Sequence, residues 1–500
     1  PELSIPATFM FHTFHRCRTY LTLLASALLI LAATPFDALA QKDSPDIPTV
    51  SNVVAIQGVR IIQAPGRVIE SGTVVFRDGV IEAVGRRVDI PYDASIIDGS
   101  DLSVYAGFID ALTNVGVPEP KQQTGAPPSV PDRSNPTFER AGITPEKDVR
   151  VLLDPSDKSV GAHRKIGFTT VHTVPYGRML PGMTAIALLT GDDAASMIYS
   201  DATATMFKFQ GARGVYPGTP MAIMAKFRQL YKEADRRNHL ESMYREDPVG
   251  MVRPPYDPVH SAFIPVIEGD QRVFAFTDDA LEIHRALNLK EELGIDMVLT
   301  GLSAGFDAID RISETAVPVA LTLGVPEKPK WAAKIKKDSL DQILGSYTDD
   351  TRTATFRDVE AERRNLEAKQ LISRARYLGM PAAYEEAGIA FAFTSYGVKT
   401  SEIRSNLREF IEGGLSEDAA LAALTTNAAD LLGLSASMGT VEEGKIANLI
   451  VTAGDLFDKE TKIKFVFVDG HKYEIKSPSK SDDKDKDKDK DEDERRDKDR

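Results

Sequence analysis

The apolar positions of this chain fall into two textures. Near the start, Val53-Val54-Ala55-Ile56, Val59-Arg60-Ile61-Ile62 and Thr73-Val74-Val75-Phe76 are short β-prone runs, and Asp78-Gly79 offers a hairpin turn before Val80-Ile81-Glu82-Ala83-Val84. The same texture returns at Ala447-Asn448-Leu449-Ile450-Val451 and at Phe465-Val466-Phe467-Val468, ahead of a second Asp-Gly pair, Asp469-Gly470. This predicts a small antiparallel β unit in which both ends of the chain share one sheet assembly.

Between these regions, continuous apolar strands alternate with amphipathic helices, the pattern of a parallel sheet covered on both faces. The predicted strands are Gly107 to Asn114, Gly167 to Val174, Met183 to Leu189, Val273 to Thr277, Met297 to Thr300, Val317 to Leu323 and Ile389 to Thr394. A helix over Asp279 to Leu293 gathers Ala280, Ile283, Ala286, Leu287 and Leu293 on one face. Ser416 is placed to cap a helix from Glu417 to Leu432, with acidic residues in its first turn and Gly433 as its stop. So many strands over this length suit an α/β fold of the (β/α)8, TIM-like barrel type better than a doubly wound sheet. Pro118 to Pro145 is rich in Pro, Gly and Ser and follows the first of these strands. It is read as a long loop over the face where barrel active sites lie, either a lid or a surface excursion.

The ends of the chain carry different signals. Arg16 and Arg18 precede a thirteen-residue apolar run from Leu21 to Ala33, and Ala38-Leu39-Ala40 follows it. That run is too short to span a bilayer, and basic residues, apolar core and small-x-small site stand in the order of a secretory signal. We expect residues 1–40 to be a signal peptide cleaved before Gln41, and the mature protein to be exported, periplasmic or secreted, with no membrane attachment after cleavage. The single cysteine, Cys17, lies ahead of the apolar run, so neither lipidation nor disulfides are expected. From Asp482 to Arg500 every residue is charged, eleven acidic and eight basic. Residues 477–500 are therefore expected to form a disordered charged tail, or a linker to a further domain.

Composition agrees with a globular body: of 500 residues, 42% are hydrophobic and 27% charged, and the net charge is −14. An acidic balance of this kind argues against a nucleic-acid partner.

Several segments resemble one family closely. Val104-Tyr105-Ala106-Gly107-Phe108-Ile109-Asp110-Ala111 is similar to the first barrel strand of the amidohydrolase superfamily, in its imidazolonepropionase-like branch, and Gly167-Phe168-Thr169-Thr170-Val171 to its second strand. Gly414-Leu415-Ser416-Glu417-Asp418-Ala419-Ala420-Leu421, with Thr425 and Asn427, resembles its last helix. Gly439-Thr440-Val441-Glu442-Glu443-Gly444-Lys445-Ile446-Ala447-Asn448-Leu449 resembles the return to its small β domain. The resemblance implies a barrel over residues 105–435, inserted into a composite β-sandwich of residues 50–104 plus 436–476. It also implies a metal-dependent hydrolase acting on C–N bonds other than peptide bonds.

Such enzymes hold Zn or another divalent metal through His-x-His on the first strand, a lysine or glutamate on the fourth, histidines on the fifth and sixth, and an aspartate on the eighth. Each donates a lone pair to a metal that activates water. In this chain the resemblance puts Leu112 and Asn114 at the His-x-His positions, Phe276 on the fifth strand, Gly301 or a neighbour on the sixth, and Ser395 on the eighth. The fourth-strand position is left unplaced. Leucine, phenylalanine and glycine side chains have no lone pair to give, and an amide is a poor substitute for imidazole. No metal ligand and no cofactor are therefore expected. Of the barrel histidines His163, His172, His239, His260 and His284, none stands at ligand-pair spacing from another. His172, at the end of the second strand, is the candidate catalytic residue, with Asp110 as its acid–base partner.

Three readings follow. One is an exported family member that has lost its metal centre and acts in binding a small-molecule ligand, or as partner of an active paralogue or of its own copies. The second is an active hydrolase using a displaced metal or the metal-free pair of His172 with Asp110. The third is the structural N-terminal half of a tandem two-barrel protein.

Overall fold

The computed structural model describes residues 52–120, 131–191, 193–200, 204–329 and 354–475, with side chains from residue 361 onward in the helix that begins at Ala354. The expected signal peptide and charged tail lie outside the described residues, as does residue 121–130 of the Pro118 to Pro145 loop.

Five strands open the chain: β1 (Val53–Ala64), β2 (Arg67–Arg77), β3 (Val80–Gly85), β4 (Ser95–Asp98) and β5 (Ser103–Ala106). They join Leu449–Ala453, Lys462–Val468 and His471–Glu474 in one eight-stranded sheet, because β5 pairs antiparallel with Leu449–Ala453. Both Asp-Gly turns adopt positive φ at both residues, Asp78 at 48° and Gly79 at 82°, Asp469 at 51° and Gly470 at 74°, which the tight twisted hairpin requires. The two turns lie against each other: a Cβ on Gly470 would stand 2.8 Å from the Gly79 Cα. Ala447 N donates to Gly79 O at 2.7 Å and completes the seam.

The middle of the chain folds as β6 (Phe108–Thr113), β7 (Phe168–Thr173), β8 (Ala185–Leu188), β9 (Ile198–Ser200), β10 (Ala204–Lys208), β11 (Arg272–Phe276), β12 (Met297–Leu302), β13 (Val319–Thr322) and β14 (Phe391–Thr394). β10 to β14 form a parallel five-stranded sheet, and β6 to β9 a second sheet in which β6 and β7 are parallel. The two sheets meet at both edges. On one side Thr394 Oγ1 donates to Leu112 O at 2.5 Å, and on the other Thr184 N donates to Ala204 O at 2.9 Å. The chain is thus a mixed α/β fold whose inner strands, buried along almost their full length, carry the apolar core.

Two expectations need correcting. Met183 to Leu189 does form a strand, but β8 runs antiparallel to β7. The connection from β7 carries no helix, so the chain turns straight back, and a parallel neighbour would need a longer crossover. The helix expected from Glu417 to Leu432 is two helices, Glu417–Leu424 and Thr426–Leu431. It breaks at Thr425, whose hydroxyl donates back to Leu421 O at 2.6 Å, while Asn427 Nδ2 donates to Phe391 O at 3.0 Å and anchors the second piece to β14. Ser416 caps the first piece as expected, accepting from Ala419 N at 3.1 Å. The sequence pattern missed β10, and the connection from β10 to β11 contains a 27-residue helix, Pro220–Glu246.

Candidate functional site

The C-terminal ends of β6, β7, β10, β11, β12 and β14 bring together most of the residues singled out in the sequence, in two clusters. The deeper one centres on Asp110, which is fully buried. Its Oδ1 accepts from Ser395 N at 3.0 Å and from Leu112 N at 3.3 Å, and its Oδ2 is bonded to Ser395 Oγ. Ser395 Oγ also meets Thr113 Oγ1 at 3.0 Å and His163 Nε2 at 3.2 Å. The far side of His163 faces Ser159 O at 3.2 Å and Thr400 Oγ1 at 3.1 Å. Every polar atom of this network has a partner, as a buried network needs.

Burial pushes the Asp110 carboxyl up to about 7, against the opposing pull of its bonds from Ser395 and Leu112. Burial also lowers His163 to about 4, so its ring is neutral near pH 7. With the carboxylate ionised, Ser395 Oγ donates to Asp110 Oδ2; once Asp110 is protonated, its proton turns to Ser395 Oγ and the Ser395 hydroxyl is free to donate to His163 Nε2, with the His163 Nδ1 proton toward the Ser159 carbonyl. Ser, His and Asp meet here, but not as a nucleophile triad. There the carboxylate orients the histidine, whereas here it holds the serine, and Ser395 is only 2% exposed.

His172 does not pair with Asp110. Its Nδ1 meets Ala111 O at 2.9 Å and its Nε2 meets Thr184 Oγ1 at 2.6 Å, while the Asp110 oxygens face Ser395 and Leu112. The physical reason is register: across the β6–β7 pair the imidazole finds a backbone carbonyl, and the carboxylate turns to the opposite neighbour, β14. Burial lowers His172 to about 4, and its ring packs edge-on against Phe274 at 4.7 Å. It is a neutral, hydrogen-bonded core histidine.

The outer cluster holds the remaining positions. Asn114 Nδ2 donates to Val174 O at 2.7 Å, bridging the ends of β6 and β7. The Phe276 ring lies on Gly301 so closely that a Cβ there would be 2.2 Å from Phe276 Cε2, and Gly301 has φ of 76°. Phe276 also faces the Tyr396 ring at 5.4 Å.

Between these rings is a residue that sequence reasoning did not find. Counting around from β6 through β7 and β8, β10 is the fourth strand, and Lys208 ends it at the position where the resemblance expects a lysine or glutamate. Lys208 Nζ donates to Tyr396 Oη at 3.1 Å and to Gly177 O at 3.4 Å, and stands 5.8 Å from the Phe276 ring centre. Lys208 is 9% exposed, and burial, helped by the nearby Arg178 guanidinium, lowers its pKa to about 8. Burial raises Tyr396 to about 12, so it remains a neutral phenol. The signal for Lys208 was a charged residue closing the apolar run Thr205-Met206-Phe207, a run too short and too uniform to be told from a buried helix segment.

These side chains do not fit a divalent metal. Leu112, Phe276 and Gly301 offer no donor, Asn114 offers only an amide oxygen, a poor substitute for imidazole, on a side chain tied through Nδ2 to Val174 O, and Ser395 is bonded within the deeper network. Among the described residues no group of three or more His, Cys, Asp or Glu side chains is close enough to hold a metal ion.

The described part of the Pro118 to Pro145 loop is hydrogen-bonded to other loops at this end of the strands. Tyr216 N donates to Arg133 O at 2.9 Å, and Thr144 N to Leu180 O at 2.8 Å, tying that loop to those after β10 and β7.

The model of the amidohydrolase family matches residues 338–473. Over 74 residues the chain is 39% identical to the dihydroorotase of Anaeromyxobacter dehalogenans (strain 2CP-C), a stretch that is 15% of this chain and spans 17% of the length of that curated relative. Among solved structures, an amidohydrolase from Thermotoga maritima MSB8 superposes with a TM-score of 0.65 at 18% sequence identity, covering 84% of this chain and 100% of that one.

Proposed function

We propose, from the premise that the chain belongs to the amidohydrolase superfamily, that it is an exported member without the family's metal centre. Its strands close into an eight-stranded barrel with one reversed strand, and the barrel mouth binds a small molecule in place of hydrolysing a C–N bond. The single observation that carries this reading is the Phe276 ring seated on Gly301, which fills with apolar packing the space where two ligand-bearing side chains would converge. Lys208 supports it: the fourth-strand position keeps its lysine, but its ammonium is held by a phenol and a backbone carbonyl. The His172 and Asp110 pair does not support a metal-free hydrolysis, since each is bonded elsewhere in the core.

Elemental analysis of protein purified without chelators tests this. We expect Zn, Fe and Mn far below one per chain, unchanged by Asn114→Ala. Stoichiometric metal that disappears with Asn114→Ala or Lys208→Met would overturn the reading. Export is tested separately by intact mass, with Gln41 as the expected first residue of the mature chain.

A further inference from the structure

The strongest unexplained feature of the mouth is a buried cation to which no acid is hydrogen-bonded among the described residues. Lysine is rarely this buried unless a carboxylate compensates it, because desolvating an ammonium costs several kcal/mol. Among the described residues, the hydrogen-bond partners of Lys208 Nζ are Tyr396 Oη and Gly177 O, both neutral, and one of its three donors has no partner. Among the described residues, the charge that acts on it is of the same sign, Arg178, which follows Gly177 in the turn that contacts the ammonium. Arg178 is exposed, and its Nη1 donates to Gly211 O at 3.1 Å, which leaves most of its fork of donors open among the described residues. A second cation thus stands in the turn whose Gly177 carbonyl takes a Lys208 hydrogen bond, and Lys208 lies beside the half-buried rings of Phe276 and Tyr396.

We propose that this rim is a binding site for a small organic carboxylate, with the anionic group between Lys208 and Arg178 and an apolar body against Phe276 and Tyr396. The inference rests on the reading of the barrel as a metal-free binding body and names its ligand class. A carboxylate supplies a counter-charge that the described residues do not give Lys208, and takes its remaining donor and the Arg178 fork. The aromatic faces favour an apolar group on the acid over a bare inorganic anion.

The test is calorimetric titration of the full mature protein with phenylacetate, with its neutral amide phenylacetamide and inorganic phosphate as comparison probes. We expect phenylacetate to bind at millimolar concentration or below and phenylacetamide to bind at least about tenfold more weakly, the effect of removing a charge-assisted contact. Lys208→Met should weaken phenylacetate by about tenfold or more. Arg178→Gln, at an exposed position that leaves the core untouched, should weaken it severalfold, while Lys208→Arg should retain part of it. Equal binding of acid and amide, phosphate binding in preference to phenylacetate, undiminished binding by both Lys208→Met and Arg178→Gln, or no phenylacetate binding at all would overturn the proposal. Metal content measured on the same samples separates the two claims. A metal-free protein that ignores phenylacetate defeats this inference alone, whereas stoichiometric metal defeats the reading it rests on.

Discussion

Asp110→Asn should make the protein more stable near neutral pH and remove part of the pH dependence of its stability. The carboxyl is fully buried and its pKa rises from the ordinary 3.8 to about 7, chiefly through desolvation. The sign follows directly. Between these two values the unfolded chain gives up the Asp110 proton and the folded chain keeps it, so stability falls as pH rises across that window and the loss is complete above about 7. A shift of this size corresponds to about 4 kcal/mol, at roughly 1.4 kcal/mol per pH unit. Asparagine copies the protonated acid: its oxygen accepts from Ser395 N and Leu112 N, and its amide N–H replaces the acid proton toward Ser395 Oγ.

His163 and His172 act in the opposite direction. Each is depressed from 6.5 to about 4, so each contributes stability that is lost as pH falls through that range. The wild-type profile therefore mixes opposing slopes, and the difference between wild type and Asp110→Asn isolates the carboxyl. Urea unfolding followed by far-ultraviolet circular dichroism, at roughly pH 4 and roughly pH 8, should show the variant gaining about 3 to 4 kcal/mol on wild type across the interval. A difference that stays constant with pH, or that favours wild type at the higher pH, refutes the assignment of a neutral Asp110 to the seam between β6 and β14.

Gly301→Ala is expected to cost about 2 to 4 kcal/mol, since it combines a positive φ with a Cβ driven into Phe276, and the cost should shrink in a Phe276→Ala background when both are measured by urea unfolding. His172→Ala should destabilise by about 2 to 4 kcal/mol, through the cavity and the unpaired Thr184 hydroxyl and Ala111 carbonyl, yet leave phenylacetate titrations unchanged. Phenylacetate affinity should hold near neutrality and decline as pH rises through about 8. There Lys208 loses its proton, while the Tyr396 phenol that faces it stays neutral and the Arg178 side chain stands in the adjoining turn.

What the sequence disclosed, and what it hid, divides along physical lines. The hairpin turns were legible because Asp78-Gly79 and Asp469-Gly470 are residue pairs that tolerate positive φ, a local demand with a local signature. Most of the inner strands, β10 excepted, were legible as uninterrupted apolar runs. The direction of β8 was not, because it depends on what lies between it and β7 and not on its own residues. Nor was the partner of Asp110. Its place on β6 was clear, but whether it faces His172 on β7 or Ser395, 285 residues further on, depends on how the sheets meet. Lys208 was hidden for a third reason: a five-residue strand has too few positions to show a period, and only its neighbours in space mark it as the fourth around from β6.

The central claim is that Phe276, Gly301 and Lys208 replace a metal site. A crystal structure of the mature protein soaked in zinc, with anomalous data at the zinc edge, tests it most directly. No anomalous peak is expected within bonding distance of Lys208, Asn114 or Ser395, with the Phe276 ring still on Gly301 and Ser395 still bonded to Asp110. A peak at that position, with Phe276 displaced and Lys208 or Asn114 turned toward it, would contradict it.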